Sequence, residues 1–151
     1  MITRRIAVRG IIFKNDKLFC VQQKRSDGTI NNFWSTPGGG LDENEGVEQC
    51  LYREIIEETG ITPTIGSLLF VQQYLDDHIE QLELFFHIKN ADDFETIDLA
   101  NTSHGQVEIE RFAFIDPKTE TILPAFLGAI DIAAEIENSD VQFFNYLAAN
   151  S

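Results

Sequence analysis

The sequence predicts one α/β domain, in which helices cover the faces of a mixed β-sheet. Apolar, β-branched runs typical of strands outnumber helical patterns, and the helical patterns are interspersed among them. The chain has 151 residues, the usual size of a single domain. Hydrophobic residues make up 43% of it, which is enough for one sizeable core. We therefore expect residues 1–151 to form a single domain.

The first part of the chain has the pattern of a β-hairpin followed by a loop. Residues 6–13 are rich in β-branched and apolar side chains, and residues 18–23 form the return arm across a turn at residues 15–17. Residues 26–32 are polar and contain one glycine, which predicts a loop. A short extended piece at residues 33–36 then ends at a proline and three glycines, Pro37-Gly38-Gly39-Gly40.

Two helices and several further strands follow. Residues 47–59 predict a helix with Gly60 as its C-terminal cap, and residues 124–136 predict another. At about 100° per residue, the first helix would bury an apolar arc made of Leu51, Tyr52, Ile55 and Ile56. Residues 90–106 are polar and predict an irregular segment. The other apolar runs predict strands or core-packing segments: residues 68–74, 80–88, 107–115 and 141–147.

Acidic residues dominate the charge of the chain. It has 25 Asp and Glu against 11 Lys and Arg, a net charge of −14. A surface of this charge repels phosphate backbones, so we expect no nucleic-acid partner. An anionic substrate would need local neutralisation, which a bound divalent metal supplies.

The sequence also indicates where the protein resides. No run approaches the length of a membrane span or has the apolar block of a signal peptide. The two cysteines, Cys20 and Cys50, form no metal-binding motif and predict buried, reduced thiols. We therefore expect a cytoplasmic protein with no membrane partner.

Three glutamates of the predicted first helix lie at positions where they destabilise the helix. Glu54, Glu57 and Glu58 stand at i, i+3 and i+4 and share one face, where like charges repel. A hard divalent cation would resolve the repulsion, because Mg²⁺ prefers carboxylate oxygens. The alternative is a solvated acidic face balanced by an ion pair between Arg53 and Glu57. The preceding glycines favour the metal site, because they let the backbone approach a ligand closely.

This stretch resembles the box of the Nudix hydrolase family, G-x5-E-x7-R-E-U-x-E-E-x-G-U, where U is a bulky aliphatic residue. The box is met in full by Gly39, Glu45, Arg53, Glu54, Ile55, Glu57, Glu58, Gly60 and Ile61. The approach through Trp34, Pro37 and Gly38 is also similar. The resemblance implies the Nudix fold, an α/β/α sandwich on a mixed β-sheet.

The resemblance also implies a reaction and its residues. Mg²⁺ or Mn²⁺ would be held by the carbonyl of Gly39 and by Glu54, Glu57 and Glu58, with Glu45 and Glu108 as further candidates. Arg53 would orient the glutamates by hydrogen bonding. The implied reaction is hydrolysis of a nucleoside diphosphate linked to another group, in which water attacks a phosphorus. The small nucleotide is the implied partner, and a homodimer is left open.

Several assignments stay open at the level of sequence. Lys24 and Arg25 are candidates to bind substrate, against the alternative of a solvated basic strand end. In our preferred interpretation the bound metal activates the attacking water, with Glu54 as metal ligand and partner of that water. In the other, the base is a carboxylate from a later strand, Glu108 or Glu110. Four aromatic residues are assigned to the core rather than to stacking on a base: Trp34, Phe70, Tyr74 and Phe86. The alternative function is a non-catalytic nucleotide-sensing domain on a Nudix fold.

Overall fold

A computed structural model describes residues 2–97, 109–138 and 140–147. Its strands are β1 (Thr3–Ile11), β2 (Phe13–Lys14), β3 (Lys17–Gln23), β4 (Trp34–Ser35), β5 (Gly38–Gly40), β6 (Ile65–Asp76), β7 (Ile79–Ile88), β8 (Ile109–Ile115), β9 (Ile122–Leu123) and β10 (Gln142–Asn145). Its α-helices are α1 (Val47–Thr59) and α2 (Ile132–Glu137), and single 3₁₀ turns span Ala91–Phe94 and Ala125–Gly128.

The strands described form two five-stranded sheets. The first has the order β10-β6-β7-β1-β5, and the second has the order β2-β3-β4-β9 with β8 paired to β3. Both sheets are mixed: β1 runs parallel to β7 but antiparallel to β5, and β3 runs antiparallel to β4, which is parallel to β9. The β1–β5 register sets Arg9 opposite Gly38 and Val8 opposite Gly39, so the glycine-rich segment is fixed to the centre of β1.

Alternation of side chains along the strands builds a core on each face of the sheets. On one face, Val8 and Ile12 of β1 pack in a cluster with Leu51 and Ile55 of α1. On the other, Ile11 belongs to a cluster whose helical members come from the second 3₁₀ turn and α2, namely Phe126, Leu127 and Ile132. The layered α/β/α arrangement on mixed sheets is therefore confirmed.

Helix α1 has the predicted bounds. Gly60 ends it in the left-handed conformation, with φ of 76°, and its N–H donates to the carbonyl of Ile56 at 2.8 Å. The predicted buried arc is wrong at Tyr52, whose residue is 46% exposed. The helix turns Cys50, Leu51 and Ile55 to the sheet instead. Tyr52 lies about 100° round the axis from Leu51, on the side opposite Cys50.

The predicted helix over residues 124–136 is wrong. The chain forms the 3₁₀ turn Ala125–Gly128 and then the separate short helix α2. Asp131 begins α2, because its carboxylate accepts a hydrogen bond from the backbone N–H of Ala134 at 3.2 Å. Gly128 lies against the carbonyl oxygen of Pro117, which a Cβ would approach to 2.6 Å. This close passage and the new cap divide the predicted helix in two.

The predicted N-terminal hairpin is present only at its tip, where Phe13 and Lys14 pair with β3. The rest of its first arm is β1, which lies in the first sheet beside β5 and β7, so this part of the prediction is wrong. The predicted strand near the C-terminus is present as β10. Residues 98–108, which include parts of the predicted irregular segment and of the strand over 107–115, lie outside the described residues. Cys20 and Cys50 are buried and free, as predicted. Among the helices that are described, none is long and apolar enough to cross a membrane.

Candidate active site

Strand β5 passes close to its neighbours at Gly38 and Gly39, and the backbone at Gly38 requires glycine. Gly38 has φ of +143°, and a Cβ there would collide with the carbonyl oxygen of Val8. A Cβ on Gly39 would lie within 2.7 Å of both carboxylate oxygens of Glu54. The backbone of β5 therefore lies directly against the acidic face of α1.

Arg53 is the centre of a carboxylate cluster at this junction. Its Nε and Nη2 donate to the two carboxylate oxygens of Glu45 at 2.7 and 2.9 Å, a two-point contact. Its Nη1 donates to Glu54 at 3.0 Å and to Glu57 at 3.1 Å, and Asp42 lies 3.4 Å from Nη2. The Arg53 guanidinium lowers the pKa of Glu45 to about 2. One guanidinium thus faces four carboxylates.

Glu58 completes the acidic face from a buried position. The residue is 5% exposed, and its Oε2 accepts a hydrogen bond from the backbone N–H of Gly38 at 3.3 Å. The Glu54 and Glu57 side chains are more open, with exposures of 18% and 28%. Arg53 pairs with Glu57 as the solvated-face alternative requires, but it also bonds Glu45 and Glu54. A simple i,i+4 pair therefore does not describe the cluster.

The donor set of this junction fits a hard divalent cation. It consists of carboxylate oxygens and the backbone carbonyls of β5, the ligands that Mg²⁺ and Mn²⁺ prefer, and the close approach of Gly39 to Glu54 brings both kinds together. Among the residues that the structure describes, no group of three His, Cys, Asp or Glu side chains is already arranged to hold a metal ion. An ion held by Glu54 and Glu57 would share them with Arg53, which donates a hydrogen bond to each.

A cavity of about 610 Å³ opens between the two sheets, next to the second 3₁₀ turn. Three aromatic residues line it, namely Phe33, Tyr74 and Tyr146. The other lining residues are Arg9, Gln23, Ser35, Thr36, Gln72, Asp76, Glu83, Leu123, Pro124 and Ala125. The walls therefore combine aromatic and apolar side chains with polar and charged ones, and a concave site of this volume is large enough for a small molecule.

The polar groups of the cavity centre on a nearly buried ion pair. Arg9 Nε donates to Oε2 of Glu83 at 3.0 Å, and the side chains are 19% and 6% exposed. Gln72 Nε2 donates to the other oxygen of Glu83 at 2.9 Å. Burial, and then the nearby Glu83 carboxylate, raises the pKa of Tyr74 to about 12. Arg9 Nη1 also donates to the carbonyl of Gly38 at 3.2 Å, so the cavity adjoins the glycine-rich strand.

We did not single out Arg9 or Glu83 from the sequence. Each interrupts a strand of apolar neighbours, Arg9 after Val8 and Glu83 between Leu82 and Leu84. A charge inside an apolar strand was therefore the available signal, because buried charges need partners. Tyr74, which we assigned to the core, lines the cavity instead. Three other aromatic residues are buried as predicted: Trp34, Phe70 and Phe86.

The remaining candidates lie away from the cavity or beyond the described residues. Lys24 forms an isolated bridge with Ile30, and Arg25 donates to the hydroxyl of Thr29 at 3.3 Å. Neither lines the cavity, although their neighbour Gln23 does. Glu108 lies outside the described residues, and Glu110 belongs to β8.

Known proteins resemble this chain in sequence and in fold. Residues 3–129 match the family described as NUDIX domain. An ADP-ribose pyrophosphatase of Methanocaldococcus jannaschii is 41% identical over 66 residues, which cover 44% of this chain and 38% of that protein. An RNA pyrophosphohydrolase of Histophilus somni is 44% identical over 65 residues, which cover 43% of this chain and 32% of that protein. The matches thus span about a third of these relatives.

The fold resembles a solved MutT NUDIX hydrolase from Burkholderia pseudomallei. The TM-score is 0.65 with 19% sequence identity, and the superposition covers 91% of this chain and 99% of that one. At this identity the likeness concerns the fold alone.

Proposed function

Because the chain belongs to the NUDIX domain family, we propose that it is a metal-dependent pyrophosphohydrolase. Its substrate is a nucleoside diphosphate linked to another group. Water attacks one phosphorus of the P–O–P linkage and breaks its bond to the bridging oxygen, which leaves with the other phosphate. The observation that carries the proposal is the junction of α1 with β5, where four carboxylates surround one arginine beside a ligand-sized cavity. Nothing in helix stability requires such a surplus of negative charge.

The acidic junction is the proposed metal site. Glu54, Glu57 and Glu58, with the carbonyl of Gly39, are the proposed ligands, and Glu45 and Glu108 are further candidates. When bound, Mg²⁺ or Mn²⁺ would neutralise phosphate charge and lower the pKa of water. Arg53 holds Glu45, Glu54 and Glu57 in place through its N–H groups. It is therefore a positioning residue in this scheme.

The catalytic base is proposed to be Glu54. Its carboxylate is partly exposed and lies against the backbone of Gly39, so it can accept a proton from water that attacks a phosphorus. The leaving phosphate departs on the opposite side, in line with the attacking oxygen. Lys24 and Arg25 remain candidates for contacts with the outer phosphates, although they do not line the cavity.

The cavity is the proposed site for the nucleoside half of the substrate. Its aromatic residues suit a planar base, which they can stack upon. We place the diphosphate next to the acidic junction, because Arg9 connects the cavity to the carbonyl of Gly38 in the glycine-rich strand. The names of the two relatives given above both denote cleavage of a pyrophosphate bond, but they differ in substrate. They therefore support the reaction and leave the substrate to experiment.

A substrate panel tests the proposal. Nucleoside triphosphates, nucleotide sugars, ADP-ribose and an RNA carrying a 5′-triphosphate are incubated with Mg²⁺ or Mn²⁺, and released phosphate and mononucleotide are measured. We expect hydrolysis of small nucleotides with either metal and little activity on RNA, because the −14 charge repels its backbone. Tight nucleotide binding without hydrolysis would instead indicate the sensing domain. The cytoplasmic location and the homodimer stay predictions.

A further inference from the structure

The Arg9–Glu83 pair makes more hydrogen bonds than an ion pair that only joins two strands would need. Arg9 uses Nε on Glu83 and Nη1 on two backbone carbonyls, those of Thr36 and Gly38. Glu83 uses both of its oxygens, one on Arg9 and one on Gln72. The guanidinium is therefore held at fixed orientation at the edge of the cavity, because planar multipoint contacts fix geometry as well as charge.

What the pair leaves available to a ligand is a hydrogen-bond donor. A guanidinium has five N–H groups and no acceptor. Nε and Nη1 of Arg9 are occupied, and Nη2 has no partner among the residues that the structure describes. The Glu83 carboxylate is already bonded to Arg9 and Gln72. A ligand in contact with Arg9 thus meets N–H donors.

The charge of the cavity restricts the kind of group that it accepts. Arg9 is the one cation among the lining residues in the described part of the chain, and Glu83 and Asp76 are both carboxylates. A second anionic group would find the positive charge of Arg9 already matched by Glu83. An uncharged planar ring that carries hydrogen-bond acceptors fits better, with Phe33, Tyr74 and Tyr146 available for stacking.

We propose that Arg9, held by Glu83, is a specificity-determining residue that selects keto-bearing bases such as guanine against adenine. The inference rests on the proposed function, since it assigns the base that the cavity receives. Guanine presents O6 and N7 as adjacent acceptors, which suit the N–H groups of an arginine, whereas adenine presents an amino donor beside N7. An amino group facing Nη2 would set donor against donor and leave buried polar groups unpaired.

The test compares kcat/KM for GTP and ATP, with saturating Mg²⁺, in three proteins. The parent should prefer GTP by about tenfold or more, as expected for good hydrogen-bond readout of a base edge. Arg9→Lys keeps the charge but loses the fixed fork, so the ratio should fall to about one or two, mainly through a higher KM for GTP. A purely structural role would lower both kcat/KM values alike and leave the ratio unchanged.

Arg4→Lys is the matched control. Arg4 of β1 pairs with Glu80 of β7 at 2.7 Å, so it joins the same two strands, but its side chain is 68% exposed. The control should keep the parent ratio. If Arg9→Lys does not fold, the double variant Arg9→Met/Glu83→Gln removes both charges together, and it should also lose the preference.

Binding of guanosine and adenosine without metal, followed by NMR titration, separates this inference from the proposed reaction. Preferential binding of guanosine with no hydrolysis of any nucleotide would refute the proposed function but leave the role of Arg9 standing. Hydrolysis of GTP and ATP at equal efficiency would overturn the role of Arg9 and leave the reaction standing. A GTP preference that persists in both Arg9 variants would also overturn it.

Discussion

Two arginines of this protein lie among carboxylates, but the balance of charge around them differs. Arg53, in the middle of α1, contacts Glu45, Glu54 and Glu57 directly and has Asp42 at 3.4 Å. Arg9, in β1, contacts the single carboxylate of Glu83 and otherwise bonds backbone carbonyls. The first cluster has more negative charge than its arginine can match, whereas the second is neutral.

The difference separates two tasks within one binding region. A surplus of carboxylates in a partly exposed cluster is costly without a counter-ion, so the Arg53 cluster is suited to a divalent cation. A balanced and nearly buried pair needs no ion, and removal of either member leaves an uncompensated charge. The Arg9 pair is therefore suited to hold a donor in place for an uncharged ligand group. Gly38 connects the two, because its carbonyl accepts from Arg9 and its N–H donates to Glu58.

The largest expected effect comes from neutralising the acidic cluster at its proposed base. Glu54→Gln should lower kcat by about 1,000-fold, which corresponds to about 4 kcal/mol of barrier. Glu48→Gln makes the same charge change on the exposed first turn of α1 and should leave kcat within about twofold. Steady-state kinetics at saturating metal provide the comparison.

The strand alternative is tested in the same assay. Glu108→Gln and Glu110→Gln should cost much less than Glu54→Gln, chiefly in metal or substrate affinity. If either of them lowers kcat as far as Glu54→Gln does, with circular dichroism unchanged, the base lies on the strand rather than on α1.

The next effect concerns stability and the neutral pair. Arg9→Ala should lower the free energy of unfolding by about 3 kcal/mol, because it leaves the 6%-exposed Glu83 without its cation. Arg4→Ala removes an exposed pair between the same strands and should cost less than about 1 kcal/mol. Urea unfolding of the two variants and the parent measures both values. Equal losses would mean that the burial of the Arg9 pair has no energetic consequence.

The smallest effect is a pH dependence within the Arg53 cluster. Arg53 lowers the pKa of Glu45 from 4.5 to about 2. As the pH falls, Glu45 is therefore protonated in the unfolded chain before it is protonated in the folded protein. The contribution of Glu45 to stability is therefore complete above pH 4.5 and lost as the pH falls to 2. Parent and Glu45→Gln should differ in melting temperature at pH 6 and converge near pH 2. A difference that is constant over this range would contradict the assignment.

The sequence predicted the acidic cluster because its information is local. The spacing of Glu54, Glu57 and Glu58 places them on α1 whatever the tertiary fold, and Gly60 marks the end of that helix. The close approach of β5 at Gly39 could also be predicted, since a run of glycines lets the backbone come near another group. These features depend on residues that are near in sequence.

The neutral pair could not be predicted in the same way, because it depends on strand pairing. Arg9 and Glu83 are 74 residues apart, and they meet only because β1 runs parallel to β7 in one register. A charged residue inside an apolar strand indicates that it has a buried partner, but it does not indicate which residue that partner is. Tyr74 was misassigned for a related reason: periodicity predicts that a strand residue faces inward, but not that the interior there is a cavity. The prediction of a continuous second helix was wrong because Gly128 packs tightly against Pro117, which is a tertiary contact.

The central claim, that the surplus carboxylates around Arg53 form a divalent-cation site, is tested most directly by Mg²⁺-dependent thermal unfolding. A ligand at 100 times its dissociation constant stabilises the native state by about 2.7 kcal/mol, which should raise the melting temperature of the parent and of Glu48→Gln by about 5–10 °C. At matched ionic strength, Glu57→Gln should show a much smaller shift. An equal shift in all three proteins would mean that Mg²⁺ merely screens the net charge of −14, and the proposed metal site would be wrong.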